Sequence, residues 1–480
     1  MITFLLSIAA LIAGYFLYGR LTEKVFRVDP NRPTPVQTMA DGVDYVEIKP
    51  KRAFLIQFLN IAGTGPIFGA IAGAMWGPAA FFWIVFGCIF GGAVHDFLVG
   101  MMSVRFGGAT IAELVGKTLG RFPKNFVRFF SVFLLILVGV VFIKSPADIL
   151  HDLTGWNSFI FLGIIIVYYI LATVLPIDKI IGKIYPIFGI TLLIMAVGIG
   201  VGMFVKGYQI PEFTFQNLHP EGKSIFPYLF ISIACGAISG FHATQSPMMA
   251  RCMSNERQGR QVFYGAMIAE GIVALIWAAV AMCFFGSIEA LGQAGPAAVV
   301  VNQVSNGILG PIGGVLAIIG VVACPITSGD TAFRSARLAI ADAFRFDQKP
   351  LKNRFLIAIP LFAVGIALCF INFDIIWRYF SWANQTLAAI ALWAAVKYLA
   401  DQGRNYWMAL VPAAFMTVVV VCYIIVAPEG FLFLFGGMDI KVAEWIGIGI
   451  GILAAVACLS TFFAVHAKNK RILRSSASCE

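Results

Sequence analysis

Charged residues are scarce in this chain. They make up 12% of its 480 residues, while hydrophobic residues make up 60%; soluble domains average about 25% and about 45–50%. No charged or low-complexity stretch is long enough to form a separate soluble domain. The composition therefore places the chain among membrane proteins that cross the lipid bilayer many times.

Motifs of common enzymes and metal sites are missing as well. HExxH and GxSxG do not occur, and Gly116-Lys117-Thr118 imitates the end of a phosphate loop but has Ile111 where that loop needs glycine. The nine cysteines are scattered without a CxxC or Cys/His spacing, so we interpret them as packing residues. We expect no enzyme activity, no ATP-driven pumping, no cofactor and no metal site.

The net charge of +10 has a membrane explanation and does not indicate binding to nucleic acid. We predict thirteen spans, at residues 2–19, 53–75, 77–102, 125–147, 157–175, 184–205, 225–250, 258–285, 309–333, 355–373, 376–398, 405–427 and 442–466. Alternate connecting segments hold 29 of the 34 Lys and Arg residues, as the positive-inside rule requires. The N-terminus is therefore predicted outside and the C-terminus inside.

Two of these spans are interrupted near the middle of the bilayer. Span 2 is broken at Gly63-Thr64-Gly65-Pro66, and span 7 around 236–240 and again at Ser246-Pro247. Gly and Pro also mark kinks and close packing in membrane helices. Free backbone groups at that depth must nevertheless line a cavity or be buried in protein. Two matched breaks with polar neighbours therefore indicate the binding site of a transporter.

The predicted topology relates the two breaks to each other. Span 2 enters the bilayer from the inside and span 7 from the outside, so spans 2–6 and 7–11 form two five-helix units of opposite orientation. We therefore expect an all-α fold with a LeuT-type inverted 5+5 repeat, one extra N-terminal helix and two extra C-terminal helices. The corresponding divisions are 1–52, 53–205, 206–398 and 399–480.

Ionisable residues inside spans are candidates for proton or cation coupling. His95 and Asp96 in span 3 and Glu270 in span 8 are candidate proton carriers. Alternatively, Asp96 pairs with an arginine of an inner loop and Glu270 bonds to a neighbouring helix. Neighbours on one helix point about 100° apart, so His95 and Asp96 are not expected to face each other. His242, after the second break, contacts substrate, relays protons or donates to a freed carbonyl.

A second coupling candidate lies at the inner end of span 9. The hydroxyls of Thr327, Ser328 and Thr331, with the carboxylate of Asp330, are oxygen ligands suited to Na⁺ or a proton, completed by carbonyls of the first break. Two structural alternatives compete with this hypothesis. Asp330 would cap a helix that begins at Thr331, or pair with Arg334 four residues later.

The substrate is expected at the two breaks. Helix N-termini freed there present N–H groups and positive dipole ends to a carboxylate. The Asn-Gln pair in span 11 forms either hydrogen bonds between helices or the wall of a polar cavity. The candidate substrate contacts are Asn60, Gly63, Thr64, Gly65, Ser239, Gly240, Phe241, His242, Thr244, Asn384 and Gln385.

A run of motifs between about residues 20 and 400 resembles the carbon starvation protein A family of bacterial inner-membrane transporters. The resemblance implies uptake of small peptides in carbon-limited cells, and related members are pyruvate transporters. Long members of that family carry further C-terminal helices. The motifs that carry the resemblance are Asp29-Pro30-Asn31-Arg32-Pro33-Thr34-Pro35, Ala62-Gly63-Thr64-Gly65-Pro66, Gly92-Ala93-Val94-His95-Asp96-Phe97, Gly236-Ala237-Ile238-Ser239-Gly240-Phe241-His242, Tyr264-Gly265-Ala266-Met267, Asp330-Thr331-Ala332 and Ala383-Asn384-Gln385.

We therefore expect a secondary transporter of the bacterial inner membrane, coupled to H⁺ or Na⁺, that imports small peptides. The alternative substrate is pyruvate or another small carboxylate. A membrane-embedded nutrient sensor is a weaker alternative, because the tail after the last span is too short for a signalling domain. A passive channel is weaker still, because no repeated filter-like loop occurs.

Overall fold

The structure is a computed structural model of the chain. It describes the backbone of residues 1–42, 44–174, 177–214, 216–348 and 350–477, and within this part it is built of helices without β-strands. The end of predicted span 5 at 175 and the last three residues of the tail lie outside the described residues. Side chains are described over the same ranges except 173–186, 318 and 469–477.

Twenty-two α-helices follow one another along the described chain. The first half holds α1 Ile2–Phe16, α2 Tyr18–Phe26, α3 Pro35–Thr38, α4 Pro50–Ala62, α5 Gly65–Gly73, α6 Ala79–Phe86, α7 Ala93–Arg105, α8 Ile111–Leu119, α9 Arg121–Thr154, α10 Ser158–Val174 and α11 Ile177–Val205. The second half holds α12 Tyr228–Ser232, α13 Gly240–Ala250, α14 Gly265–Phe284, α15 Ile288–Gln293, α16 Ala297–Leu309, α17 Pro311–Ala317, α18 Ala323–Phe344, α19 Leu351–Cys369, α20 Phe373–Asp401, α21 Trp407–Val426 and α22 Ile440–Ala477.

Every predicted span coincides with helical structure. Among the described residues, nine helices are long and apolar enough to cross a membrane, or ten if the bent pair α4–α5 counts as one span. The other three predicted spans contain the shorter α10, the divided pair α12–α13 and the polar α20. The chain is thus a multi-pass membrane protein, and thirteen remains the predicted number of spans.

The first interruption lies where it was predicted. Helix α4 ends at Ala62, Gly63 leaves the helical conformation with φ 10° and ψ −143°, and α5 begins at Gly65. The next residue, Pro66, has no N–H to continue the hydrogen-bond pattern of the preceding helix. The two helical pieces meet at an angle of 48°.

The second interruption covers 233–239, between α12 and α13. Gly236 has φ +88°, and an added Cβ there would lie 2.5 Å from the Cβ of Ala274 on α14. This position therefore needs glycine for its backbone conformation and for its close approach to α14. The second predicted interruption, at Ser246-Pro247, is wrong. Helix α13 continues through Pro247, because a proline removes only one helical hydrogen bond and surrounding helices support the kink.

Three π-helical turns interrupt otherwise regular helices. They cover Gly87–Gly92 before α7, Arg260–Tyr264 before α14 and Ile318–Val322 before α18. The helices that follow carry the candidate coupling residues of spans 3, 8 and 9. Because π-helical turns often accompany functional sites, their positions agree with the choice of these three helices.

The broken helices lie in the interior of the bundle. Helix α5 packs against α14, α13 packs against α7 and α20, and α4 packs against α11, α13 and α14. The peripheral helices α10, α11, α19 and α22 carry many exposed large apolar side chains, which suit a lipid environment. Three helices were not predicted: α8, α15 and α16 lie in segments expected to be loops.

Candidate coupling and substrate site

Four ionisable side chains meet at the second break, and none of them is exposed. His95 and His242 each donate a ring Nδ1–H to Asp96, over 2.8 Å to Oδ1 and 2.8 Å to Oδ2. The ring proton is assigned to Nδ1 because a carboxylate only accepts. The Nε2 of His242 then faces Glu270 Oε2 at 3.4 Å. We call these four residues the buried ionisable cluster.

Two expectations about this cluster are wrong. His95 and Asp96 do face each other, because both side chains bend toward α13, where the Asp96 carboxylate joins two imidazoles. For the same reason Asp96 bonds to histidines and is not paired with an arginine of an inner loop. His242 bonds to carboxylates, so its proposed bond to a freed carbonyl is not formed through Nδ1.

Small residues allow these helices to approach so closely. An added Cβ at Gly92, just before α7, would lie 2.2 Å from the carbonyl oxygen of Ala237 in the second break. An added Cβ at Gly240 would lie 2.3 Å from the carbonyl oxygen of Asn384 on α20. The glycines therefore let α7 and α20 contact the backbone of the broken span directly.

The freed backbone groups of the second break bond to side chains of neighbouring helices. Gly236 donates its N–H to Glu270 Oε1 over 3.1 Å, and Phe241 donates its N–H to Asn384 Oδ1 over 2.6 Å. The hydroxyl of Ser239 donates to the same Asn384 oxygen over 3.1 Å. A broken helix in a membrane persists only where such partners replace the missing ladder.

Asn384 and Gln385 thus bond between helices, one of the two roles considered for them. Gln385 donates to the carbonyl of Phe230 over 2.5 Å, while its Oε1 has no hydrogen-bond partner among the described residues. Contact of this pair with a substrate remains a prediction.

The first break lies against the second. An added Cβ at Gly65 would lie 2.5 Å from Cys235 Sγ, and one at Gly63 would lie 2.6 Å from the ring of Phe142. The hydroxyl of Thr64 lies 3.3 Å from that of Ser145 on α9. The two interruptions therefore form one continuous region in the interior of the protein.

Helix α4 brings two buried amides toward this region. Gln57 and Asn60 lie one helical turn apart, are at most 1% exposed, and have no hydrogen-bond partner for their side chains within the described structure. Unpaired amides at such depth are costly unless they meet a polar partner. Asn60 was among the predicted substrate contacts, whereas Gln57 was missed, although its spacing of three residues from Asn60 placed it on the same helical face.

The residues of span 9 divide into two groups. The Ser328 hydroxyl donates to the carbonyl of Leu59 near the end of α4 over 3.1 Å, whereas the hydroxyls of Thr327 and Thr331 donate within α18. Asp330 is 4% exposed, and its Oδ2 lies 3.8 Å from Arg334. The structure therefore supports the ion pair. A helix cap at Asp330 is wrong, because α18 begins at Ala323 and runs through this position.

Two cavities approach the broken span 7 from its two ends. The Trp377 cavity has a volume of about 390 Å³ and is lined by Trp76, Tyr228, Ser232, Trp377, Arg378 and Glu444, among others. The Arg251 cavity has a volume of about 200 Å³ and is lined by Thr244, Pro247, Arg251, Arg334, Ser335 and Asp342, among others. The buried ionisable cluster and the residues of the break between them line neither cavity.

Cys235 was not predicted as a site residue. Its Sγ belongs to a group with His242 and Glu270 whose three possible ligand atoms all lie within 4.8 Å of one another. Its position directly before Gly236 in the second break was the available signal, which the general interpretation of the cysteines as packing residues ignored.

The described geometry can be compared with known proteins. The family described as "Carbon starvation protein CstA" matches residues 1–162, 146–308 and 293–422. An "Uncharacterized membrane protein" of Haemophilus influenzae is 44% identical over 348 residues, which cover 61% of this chain and 94% of that protein.

Two relatives have names that describe an activity. The "Peptide transporter CstA" of Campylobacter jejuni is 29% identical over 343 residues, 56% of this chain and 48% of that protein. The "Pyruvate/proton symporter BtsT" of Escherichia coli is 26% identical over 352 residues, 56% of this chain and 47% of that protein. The matched regions thus span about half the length of each of these two relatives.

Solved structures of transporters share the fold. MhsT in complex with L-phenylalanine superposes with a TM-score of 0.56 at 15% identity, covering 84% of this chain and 98% of that chain. A mutant of the Eremococcus coleocola manganese transporter gives a TM-score of 0.52 at 13% identity, covering 90% and 99%. The chain therefore has the LeuT-type fold that was predicted, while the assignment of its two repeats remains a prediction.

Proposed function

The chain belongs to the carbon starvation protein CstA family, and from this premise we propose that it is a secondary transporter that imports small peptides across the bacterial inner membrane. The proposed coupling ion is the proton, with Na⁺ as the alternative. The observation that carries the proposal is the position of the buried ionisable cluster within a broken helix that separates two cavities.

The proposal depends on the closure of the path between the cavities. A transporter must expose its site to one side at a time, and LeuT-type transporters place that site at interrupted helices near the bilayer midplane. Here Ser232 before the break lines one cavity and Thr244 after it lines the other. Movement of the helices around α13 would open the site toward one cavity while closing it toward the other.

The buried cluster offers a means of coupling to protons. Four ionisable side chains within a low-dielectric interior favour a small net charge. Loss or gain of one proton between His242 and Glu270 would change the charge beside the backbone of the second break. That change would bias which of the two cavities is open, as coupling requires.

The alternative cation site lies at the first break. There the carbonyl of Leu59 and the hydroxyl of Ser328 are within hydrogen-bonding distance, and these oxygens, together with Thr327, Asp330 and Thr331, are ligands that suit Na⁺. Both sites contact a broken helix, so either ion could be linked to its movement.

Two charges on the wall of the Trp377 cavity favour a peptide. Arg378 and Glu444 line the cavity together, and its volume of about 390 Å³ falls within the range of about 300–1,000 Å³ for small-molecule sites. A peptide carries both a carboxylate and an ammonium group, so it would satisfy both charges. Pyruvate, which a named relative transports with protons, would leave Glu444 without a cationic partner.

The orientation is part of the same proposal. The Arg251 cavity borders segments that the positive-inside rule places in the cytoplasm, and the Trp377 cavity borders segments that it places outside. Import would therefore proceed from the Trp377 cavity to the Arg251 cavity. Labelling of single cysteines at Lys223 and Arg345 with a membrane-impermeant reagent in intact cells should modify only the first.

Uptake into liposomes tests the function. Purified protein is reconstituted, and labelled dipeptide and labelled pyruvate are supplied in parallel, each with an imposed proton gradient, sodium gradient or no gradient. We expect the dipeptide to accumulate only with the proton gradient. Accumulation of pyruvate alone would overturn the peptide assignment, sodium dependence would overturn proton coupling, and no accumulation of either substrate would overturn the proposed function.

A further inference from the structure

Three side chains of different chemistry converge at the second break. Cys235 lies in the break itself, His242 lies on α13 and Glu270 lies on α14, and none is more than 2% exposed. Their Sγ, nitrogen and carboxylate oxygen atoms all lie within 4.8 Å of one another. Thiolate, imidazole and carboxylate are the three protein ligands of zinc.

Two atoms of this group are aimed at each other without a hydrogen bond. His242 Nε2 and Glu270 Oε2 are 3.4 Å apart, and neither has a hydrogen-bond partner within the described structure. When Nδ1 donates to Asp96, the Nε2 of a neutral imidazole is an acceptor. Two buried acceptors face each other at favourable energy only if a proton or a cation lies between them.

The separation of these atoms fits a metal centre. Bonds of about 2.0–2.1 Å to nitrogen and oxygen in a tetrahedral site place the two ligand atoms about 3.3–3.4 Å apart. The observed distance is 3.4 Å. The third ligand, Cys235 Sγ, also lies within reach, which leaves a fourth position for water or another donor.

The surroundings supply the supporting bonds that metal ligands need. Histidine ligands usually donate their second ring N–H to a carboxylate, and here His242 donates Nδ1–H to Asp96 over 2.8 Å. The other oxygen of Glu270 accepts from Gly236 N–H over 3.1 Å. Both contacts hold the free atoms toward the common point.

We propose that Cys235, His242 and Glu270 form a binding site for a divalent transition metal of the zinc class. Mixed sulfur, nitrogen and oxygen ligands select Zn²⁺ or Co²⁺ over Mg²⁺ and Ca²⁺, which prefer oxygen alone. On binding, the Cys235 thiol loses its proton to the buffer as the metal–sulfur bond forms. The charges of the thiolate and the Glu270 carboxylate then balance that of the ion.

The site has a consequence for transport that rests on the proposed function. A metal at this point occupies the gap between His242 and Glu270, so a proton and the metal exclude each other there. It also ties the break to α14, which stabilises the arrangement in which neither cavity reaches the break. Zn²⁺ therefore inhibits transport, and acidification relieves the inhibition.

Cobalt binding tests the site without any measurement of transport. Metal-free purified protein is titrated with Co²⁺ until equilibrium, and absorption is recorded, because a thiolate ligand adds a charge-transfer band in the near ultraviolet. We expect one Co²⁺ per chain with this band in the wild type and in the control Cys422→Ser, a buried cysteine on α21.

The variants locate the ligands. Cys235→Ser should abolish the charge-transfer band, and Asp96→Asn should weaken Co²⁺ binding by about 10–100-fold, as loss of a supporting carboxylate does. Circular dichroism and thermal unfolding of each variant report on its fold. Absence of the band in folded wild-type protein, or its persistence in Cys235→Ser, would overturn the metal site and leave the proposed transport function untouched.

Discussion

Gly65 and Cys235 bring the two broken spans into contact: an added Cβ on the glycine would lie 2.5 Å from the cysteine Sγ. One residue begins the second half of the first broken span, and the other lies in the break of the second. These spans are separated by about 170 residues in the chain, so their contact is a property of the fold that local sequence does not contain.

Gly65→Ala should disturb this contact. The methyl group must displace Cys235, and overpacking of a tight interior costs about 1–3 kcal/mol. We expect a lower thermal unfolding temperature and loss of most dipeptide uptake. Gly163→Ala on α10 is the matched control, because an added Cβ there meets no atom within 4 Å and should leave both values unchanged or raise stability slightly. Equal behaviour of the two variants would show that the contact is unimportant.

His242→Gln should separate substrate movement from ion movement. The imidazole lies between the carboxylates of Asp96 and Glu270, and without it the two acids lose their shared partner, at a cost of about 3–5 kcal/mol for a broken buried pair. We expect loss of dipeptide-driven acidification inside liposomes, recorded with a trapped pH-sensitive dye. The control His151→Gln changes an exposed histidine, and an undiminished signal in the His242 variant would exclude the proposed relay.

Asn384→Ala should loosen the start of α13. Asn384 accepts from Phe241 N–H and from the Ser239 hydroxyl, and each buried donor left unpaired costs about 1–3 kcal/mol. We expect a clear loss of thermal stability and of uptake. Asn306→Ala, at an exposed position on α16, should stay within about 0.5 kcal/mol of the wild type. Unchanged stability of the Asn384 variant would contradict its role in holding the break.

Asp330→Asn separates the two ion hypotheses. If the proton is coupled through the buried ionisable cluster, the variant should retain proton-driven accumulation of dipeptide. If the cation binds beside the first break, accumulation should fall to parity between inside and outside, while downhill uptake continues. The control is Asp401→Asn, an exposed carboxylate paired with Lys397. Loss of accumulation in the first variant alone would transfer the coupling role to α18.

The positions of the helices and of the main breaks followed from the sequence, because both depend on local chemistry. Long apolar runs must be helical in lipid, and glycine with proline at 63–66 ends a helix wherever it occurs. The polar character of the candidate residues was equally local. His95, Asp96, His242 and Glu270 stood out because ionisable groups are rare in such helices.

The arrangement of these residues could not be predicted in the same way. The contact between His95 and Asp96 depends on a third group, His242, that draws both side chains toward α13. The role of Cys235 depends on Glu270, brought to it by the packing of α14 against the break. Likewise, Pro247 ends no helix, since neighbouring helices support α13 in a way that its own sequence does not reveal.

The most direct test of the central claim is the accumulation ratio of labelled dipeptide in liposomes under a proton gradient of one pH unit. Such a gradient supplies about 1.4 kcal/mol per proton, which supports about tenfold accumulation if one proton moves with each neutral substrate. We predict a ratio well above one that falls to one when a proton ionophore is added. A ratio that never exceeds one, with or without the gradient, would contradict coupled transport.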